Sequence, residues 1–203
     1  MAEHTFTYER PWLYPEQRDA VFNEAKLAIT NASTKSGKSH ACRIWMLEQA
    51  LQAEPGSQVW WVAPSVRQAY EIGFEEMCQW LRPMGDNFFR KNNNDRRIRL
   101  LANDVRLMFH TDDDPDNLYG RDVVACVIDE GARVDEDAWT AVQTTLTSTD
   151  GPVRIITNVK GRTNWTWSLA KRAEAGDDWT CRWCGEQFTE GMHSATINFW
   201  HAV

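Results

Sequence analysis

The sequence predicts an α/β fold, with a mostly parallel central sheet flanked by helices and a small C-terminal lid segment. Three observations carry that reading. Short apolar runs alternate with stretches of helical periodicity. A Gly37-Lys38-Ser39 triplet stands where the first apolar run gives way to a helix, and the most apolar run, residues 123–128, ends on Asp129 and Glu130.

In chain order, residues 27–31 read as a weak strand leading into the small-residue loop Ala32-Ser33-Thr34-Lys35-Ser36-Gly37. Over 38–52, Ala41, Ile44, Leu47 and Leu51 recur at spacings of three and four, which is one face of a helix. A second strand is expected at 58–63, and a second helix at 66–81 with Ala69, Ile72, Met77 and Trp80 on one side. Residues 97–101 and 105–109 are β-like runs across the turn Ala102-Asn103-Asp104, hence a hairpin and the antiparallel part of a mixed sheet. Residues 123–128 are an unbroken apolar run of the kind buried on both faces of a parallel sheet. Helices at 136–147 and 164–174 and a strand at 153–157 complete the pattern. After about Gly176 a segment containing Cys, Trp and Gly shows no clear period, so the chain divides into a core, 1–176, and an appendage, 177–203.

Composition narrows the function. Lys plus Arg total 22 against 29 Asp plus Glu, and the net charge of −7 excludes a histone-like or basic-arm protein while leaving a local basic patch open. No run approaches the ~20 apolar residues of a membrane span, and Met1-Ala2-Glu3-His4 lacks the order of a signal peptide, so a cytoplasmic protein is expected. Cys42, Cys78 and Cys126 sit in apolar surroundings and predict reduced core residues rather than disulfides. Tryptophan is in excess, at 11 residues. Trp45, Trp60 or Trp61, Trp80 and Trp139 fall on core faces; Trp165, Trp167, Trp179, Trp183 and Trp200 crowd the end, to pack the appendage or to stack on bases. The pattern from Thr196 to His201 is unfinished at Val203, so a piece of a longer protein is expected.

The chemistry lies in two constellations. A triphosphate needs backbone N–H donors at a helix N-terminus, a lysine reaching its outer phosphates and a hydroxyl on magnesium. Gly37 supplies the close approach, Lys38 the charge and Ser39 the hydroxyl, with Ser33, Thr34, Lys35 and Ser36 around the phosphates; Ala32 replaces the first glycine of the usual pattern. Asp129 and Glu130 end a buried strand where open α/β sheets bind ligands. Asp129 suits the magnesium shell, and Glu130, pointing the other way, suits a base for the attacking water. Together these predict a P-loop NTPase fold and an ATP hydrolase. A strand ending in Thr157 and Asn158 offers polar groups to the γ-phosphate.

With these in order, the chain resembles the ATPase domain of a phage large terminase subunit, the motor that packages DNA into a procapsid. Pro15-Glu16-Gln17 resembles the family's adenine-reading segment, residues 63–69 its post-loop motif, Asp129-Glu130-Gly131-Ala132 its acidic motif, and the run from Thr157 to Trp165 its coupling motif and the Gly-Asn-Trp stretch after it. The resemblance implies that the 153–157 strand inserts between the phosphate-loop strand and the Asp129 strand. It also implies a lid followed by a nuclease domain that is absent here. It implies ATP and Mg²⁺ as cofactors, with double-stranded DNA, a portal protein and a small terminase subunit as partners. Self-association into a ring on the procapsid is implied, the isolated domain being monomeric, in the host cell cytoplasm and without a membrane. Where the family often has an arginine in the phosphate loop, Lys35 stands in as a point charge. The family's Arg-Gly pair before the catalytic acid is broken here, as Gly120 lies between Tyr119 and Arg121; Arg121 is a candidate trans-acting charge or else a surface or salt-bridged arginine.

Two segments stay open. Residues 90–99 are the most basic stretch, able to grip phosphate backbones or to form a solvated hairpin edge, whereas the acidic run 112–116 reads as a solvated loop. Cys181 and Cys184 have the spacing of a zinc knuckle, with His193 and His201 as the nearby further ligands; a redox pair lacks its usual context. Rival functions are a helicase-like translocase, for which the chain has no second motor domain, and a non-hydrolysing nucleotide-binding or zinc-dependent nucleic-acid adaptor, against which the acidic pair speaks.

Overall fold

The computed structural model describes residues 8–113, 118, 122–158 and 160–174 in full, and by backbone Ala175 and the strands Trp179–Thr180, Gln187–Phe188 and Met192–Ile197. The strands are β1 (Leu27–Ala32), β2 (Gln58–Ala63), β3 (Phe89–Asn92), β4 (Arg97–Leu100), β5 (Arg106–Thr111), β6 (Val123–Asp129), β7 (Val153–Thr157), β8 (Trp179–Thr180), β9 (Gln187–Phe188) and β10 (Met192–Ile197). Eight form one sheet in the order β10-β1-β7-β6-β2-β5-β4-β3, and β8 and β9 make a separate antiparallel pair. The six strands from β10 to β5 run parallel; β4 alone is reversed, antiparallel to β5 in the hairpin predicted at 97–109 and antiparallel to β3 on its other side. As expected, β7 lies between β1 and β6, so all C-terminal strand ends that matter for chemistry share one sheet edge.

Helices cover both faces. On one face lie α1 (Pro15–Val21) and α2 (Lys38–Gln52), followed by a helical stretch that starts as α3 (Val66–Gln68), widens to π-helix over Ala69–Glu75 and ends as α4 (Glu76–Leu81). On the other face lie α5 (Glu136–Leu146) and α6 (Trp165–Ala175). The π-helical stretch replaces the regular helix expected at 66–81, and its cause is packing. A Cβ on Gly73 would stand 2.8 Å from Phe109 Cδ1 and 3.0 Å from Trp61 Cδ1, so the helix lies closer to the sheet there than any side chain permits. Arg43 of α2 donates to the Ile72 carbonyl at 2.8 Å and pairs with Glu76 at 2.5 Å, satisfying a carbonyl in the widened turn.

Trp45 and Trp139 are buried as expected; Trp60 and Trp61 are both buried where one was expected, because β2 is covered on its two faces; Trp80 is half-buried; and Cys42, Cys78 and Cys126 are free thiols in the core. The stretch read as an appendage contributes β10, which pairs in parallel with β1. The acidic run departs from expectation at its first residue, because Asp112 is buried and accepts a hydrogen bond from the Asp135 N–H at 3.0 Å. That bond satisfies a backbone donor at the start of α5. Among the described residues, no helix is long and apolar enough to cross a membrane.

Candidate nucleotide-binding site

β1 ends on Ala32, and the chain then turns through Ser33–Gly37 into α2. Lys35 (φ 67°) and Gly37 (φ 76°) both adopt the left-handed conformation that bends such a loop around a concavity. A Cβ on Gly37 would also overlap Gln17 Nε2, so any larger residue there would displace the Gln17 amide. Lys38 opens α2 and is 6% exposed. Its ammonium donates to the Ser33 carbonyl at 3.3 Å and to Asn158 Oδ1 at 2.8 Å. Ser36 Oγ is buried without a hydrogen-bond partner among the described residues. Gln17 Oε1 accepts from the Tyr14 N–H at 3.1 Å, and its Nε2 donates to the Ser36 carbonyl at 3.1 Å. One amide therefore ties the start of α1 to the phosphate loop.

The acidic pair lies on the neighbouring side. Asp129, 2% exposed, has its carboxyl pushed up to about 6, first by burial and then by the charge of Glu130, with Lys38 acting in the opposite sense. One of its oxygens accepts the Glu130 N–H at 3.0 Å. Glu130 takes a left-handed conformation (φ 51°), which turns it away from the strand direction. Its Oε1 accepts from Asn158 Nδ2 at 2.8 Å. Asn158 thus joins the lysine on one side to the acid on the other. Thr157 Oγ1 accepts the Ala132 N–H at 3.0 Å and donates to the Asn158 carbonyl at 3.1 Å, so β7 also grips the turn after Glu130. That turn is tight: a Cβ on Gly131 would meet Ile155 Cγ2 at 2.7 Å and Thr166 Cγ2 of α6 at 3.2 Å.

The donors suit a magnesium nucleotide. Ser39 and Asp129 offer the hard oxygen ligands that magnesium takes, and a dication would relieve the unfavourable burial of the Asp129 charge. The α2 N-terminus and the unpartnered Ser36 hydroxyl offer donors to phosphate.

The family described as "Terminase large subunit, T4likevirus-type, N-terminal" matches residues 29–193. The chain belongs to this terminase family. It is 30% identical over 163 residues to the large terminase subunit of Thermus virus P23-45, covering 71% of this chain and 33% of that one. The chain therefore spans about a third of that relative's length. Among solved structures, a mutant of the ATPase domain of the Thermus phage P74-26 large terminase superposes with a TM-score of 0.72 at 23% identity, covering 93% of this chain and 82% of that one. The large terminase of a thermophilic bacteriophage in complex with ADP gives 0.69 at 10% identity, covering 90% and 44%. At such identities the solved structures speak for the fold.

Within this terminase domain the structure brings together Gln17, Ser36, Lys38, Asp129, Glu130, Thr157 and Asn158, and leaves Ser33, Thr34 and Lys35 on the exposed lip of the loop. Arg121 lies outside the described residues, as do Cys181, Cys184 and His201; His193 falls in β10, of which the backbone alone is described. Sequence reasoning missed Arg154, whose buried guanidinium donates to the carbonyls of Val21 at 2.6 Å, Asn23 at 2.8 Å and Ala25 at 2.9 Å, fastening the α1–β1 connection to β7. A charged residue inside an otherwise apolar strand was the available signal.

Proposed function

We propose that this chain is the ATPase motor domain of a viral DNA-packaging terminase, which hydrolyses ATP to translocate duplex DNA into a procapsid. The observation that carries the reading is the relay Lys38–Asn158–Glu130, in which the phosphate-binding lysine and the base for water are held by one amide on the strand between them. Ser33 to Ser39 and the α2 N-terminus bind the phosphates, Lys38 neutralises their outer charge, and Gln17 orients the base of the nucleotide. Ser39 and Asp129 would hold magnesium, which would supply charge neutralisation of the phosphates. Glu130 orients and deprotonates the attacking water once Lys38 has turned from Asn158 to phosphate and the amide has released the acid. Thr157 and Asn158 then report the change to the turn at residues 130–132 and to α6. Arg121 acts in trans on a neighbouring subunit's site within a ring, which forms with the portal protein and small terminase subunit in the host cytoplasm; the isolated domain is a weak, monomeric ATPase. The Cys181, Cys184, His193 and His201 set is kept as a zinc proposal for the lid, resting on spacing alone.

Steady-state ATP hydrolysis by wild type, Lys38→Ala and Glu130→Ala, measured as protein concentration rises, tests the reading. Wild type is expected to exceed both variants by about a hundredfold or more once DNA and procapsid portal are present. Wild-type activity no higher than Glu130→Ala under every condition would sink the motor function.

A further inference from the structure

We infer that Glu48, in the half of α2 remote from the phosphate loop, is a positioning residue for the nucleotide base. It clamps Arg10, and through Arg10 it sets the tilt of α1 and the place of the Gln17 amide. The inference rests on the reading of Gln17 given above, in which that amide orients the base.

The clamp gathers three hydrogen bonds on one carboxylate. Glu48 Oε1 accepts from the Tyr8 hydroxyl at 3.0 Å and from Arg10 Nε at 2.7 Å, and Oε2 accepts from Arg10 Nη2 at 2.5 Å. Arg10 thus meets Glu48 as a two-pronged fork, which fixes direction as well as distance. An ordinary exposed ion pair holds little in place, but here the carboxylate residue is 8% exposed. The same guanidinium lies over the Phe22 ring, 4.2 Å from its centroid. Phe22 is the residue on which α1 ends, so Arg10 joins that end of α1 to α2.

The other end of α1 is tied to the phosphate loop. Gln17, in its first turn, donates to the Ser36 carbonyl. With seven residues, α1 is about 10 Å long and moves as one rigid lever, so a displacement at Phe22 is felt at Gln17. Ala20 and Val21 bury α1 on the core, but two such small side chains leave it free to rock. Beside them a cavity of about 310 Å³ opens among Arg10, Phe22, Trp45, Glu48 and Arg154, so directed polar contacts hold this end where side chains leave space. Arg154 fastens the connection after α1 to β7, whereas Glu48 fastens α1 to the helix that itself carries Lys38 and Ser39.

Base and phosphates are therefore held by separable parts. A glutamine amide has two N–H donors and two acceptor lone pairs. Gln17 uses one of each on the Ser36 carbonyl and the Tyr14 N–H. The donor and acceptor that remain match N7 and the N6 amine of adenine, whereas guanine presents two acceptors there. A misplaced amide should lose adenine while the loop keeps its hold on phosphate.

The test is displacement of a fluorescent ADP analogue from the 203-residue chain by ADP, GDP or pyrophosphate, with magnesium present. Arg10→Gln and Glu48→Gln should each bind ADP about tenfold more weakly than wild type, because a misplaced contact is a lost one. The preference for ADP over GDP should shrink, and pyrophosphate affinity should not change. The double variant should be no weaker than either single, since both remove one clamp. The Arg10 side chain is 40% exposed, so Arg10→Gln carries the test should Glu48→Gln lose its melting transition. Three results overturn the inference: Arg10→Gln binding ADP like wild type, pyrophosphate affinity falling by the same factor as ADP affinity, or a double variant whose loss is the product of the two singles. Gln17→Ala separates the clamp from the reading beneath it. If Gln17→Ala binds ADP like wild type, or wild type binds ADP no better than pyrophosphate, the base-orienting role of Gln17 and the clamp fall together. If Gln17→Ala loses ADP and Arg10→Gln does not, the clamp alone falls.

Discussion

His110 shows how one side chain sets the acid limit of this fold. It lies against Trp60 with ring centroids 4.7 Å apart and the rings tilted by 60°, its Nε2 is buried without a partner among the described residues, and burial, helped by the charge of Arg96, lowers its pKa to about 4. The unfolded chain takes up this proton near pH 6.5 and the folded chain only near 4. Its contribution to stability is therefore intact above about pH 6.5 and is lost as pH falls through that window. The full shift corresponds to about 3 kcal/mol, and partial exposure of the ring brings the expected loss to roughly 2 kcal/mol. Urea unfolding of wild type and His110→Phe at neutral pH and near pH 4.5 reads it. Wild type should lose more stability than the variant across that interval; equal losses would show that His110 is not the acid-sensitive group.

Among the elements, β7 does the most joining. Its C-terminal end holds Thr157 and Asn158 in the site, while Arg154 near its other end binds three carbonyls of the α1–β1 connection and lies over the Trp45 ring at 4.7 Å. Arg154→Met keeps the volume but strands those carbonyls, so a loss of about 2–4 kcal/mol is expected. Hydrogen exchange should accelerate in α1 and at residues 21–25 more than in β6; uniform acceleration would count against a local latch. The same strand shows what the sequence makes legible. Residues 58–63 and 153–157 are strands with the bounds expected, and α2 spans 38–52, because buried elements carry their periodicity in the residues themselves. The seven-residue α1 escaped notice because it buries only Gln17, Ala20 and Val21. β3 escaped because an exposed edge strand bearing Arg90 and Lys91 has no apolar alternation. The π-helical turn was invisible because its cause, Gly73 against Phe109 and Trp61, is a tertiary contact. In the site, Lys38, Asp129 and Glu130 are legible as local motifs. Their connection through Asn158 is not, since it exists only when β7 stands between β1 and β6.

At the scale of the molecule, the sheet has two unlike margins. The β3 margin is short and charged, a design that resists pairing with another strand. The other is β10, which covers the backbone of β1 along its whole length, from Leu27 beside Met192 to Ala32 beside Ile197. The proposed division into a 1–176 core and a 177–203 lid is tested by ending the chain after Ala175. Loss of β10 strips β1 of one row of hydrogen-bond partners, so the truncated protein should melt at lower temperature and self-associate by light scattering. A truncated form that stays monodisperse with unchanged melting would make residues 1–175 a self-sufficient unit.

The insertion of β7 also has a consequence in time. The phosphate loop is complete by Ser39 and the acidic pair by Glu130, yet the strand that must lie between them is not made until residues 153–157 leave the ribosome. Until then β1 and β6 lack the strand that both pair with, and Lys38 and Glu130 lack the Asn158 amide that joins them. A nascent chain of this kind cannot close its site early, because the pairing it needs is non-local. The order of synthesis itself leaves the Lys38–Asn158–Glu130 connection unmade until the central strand arrives.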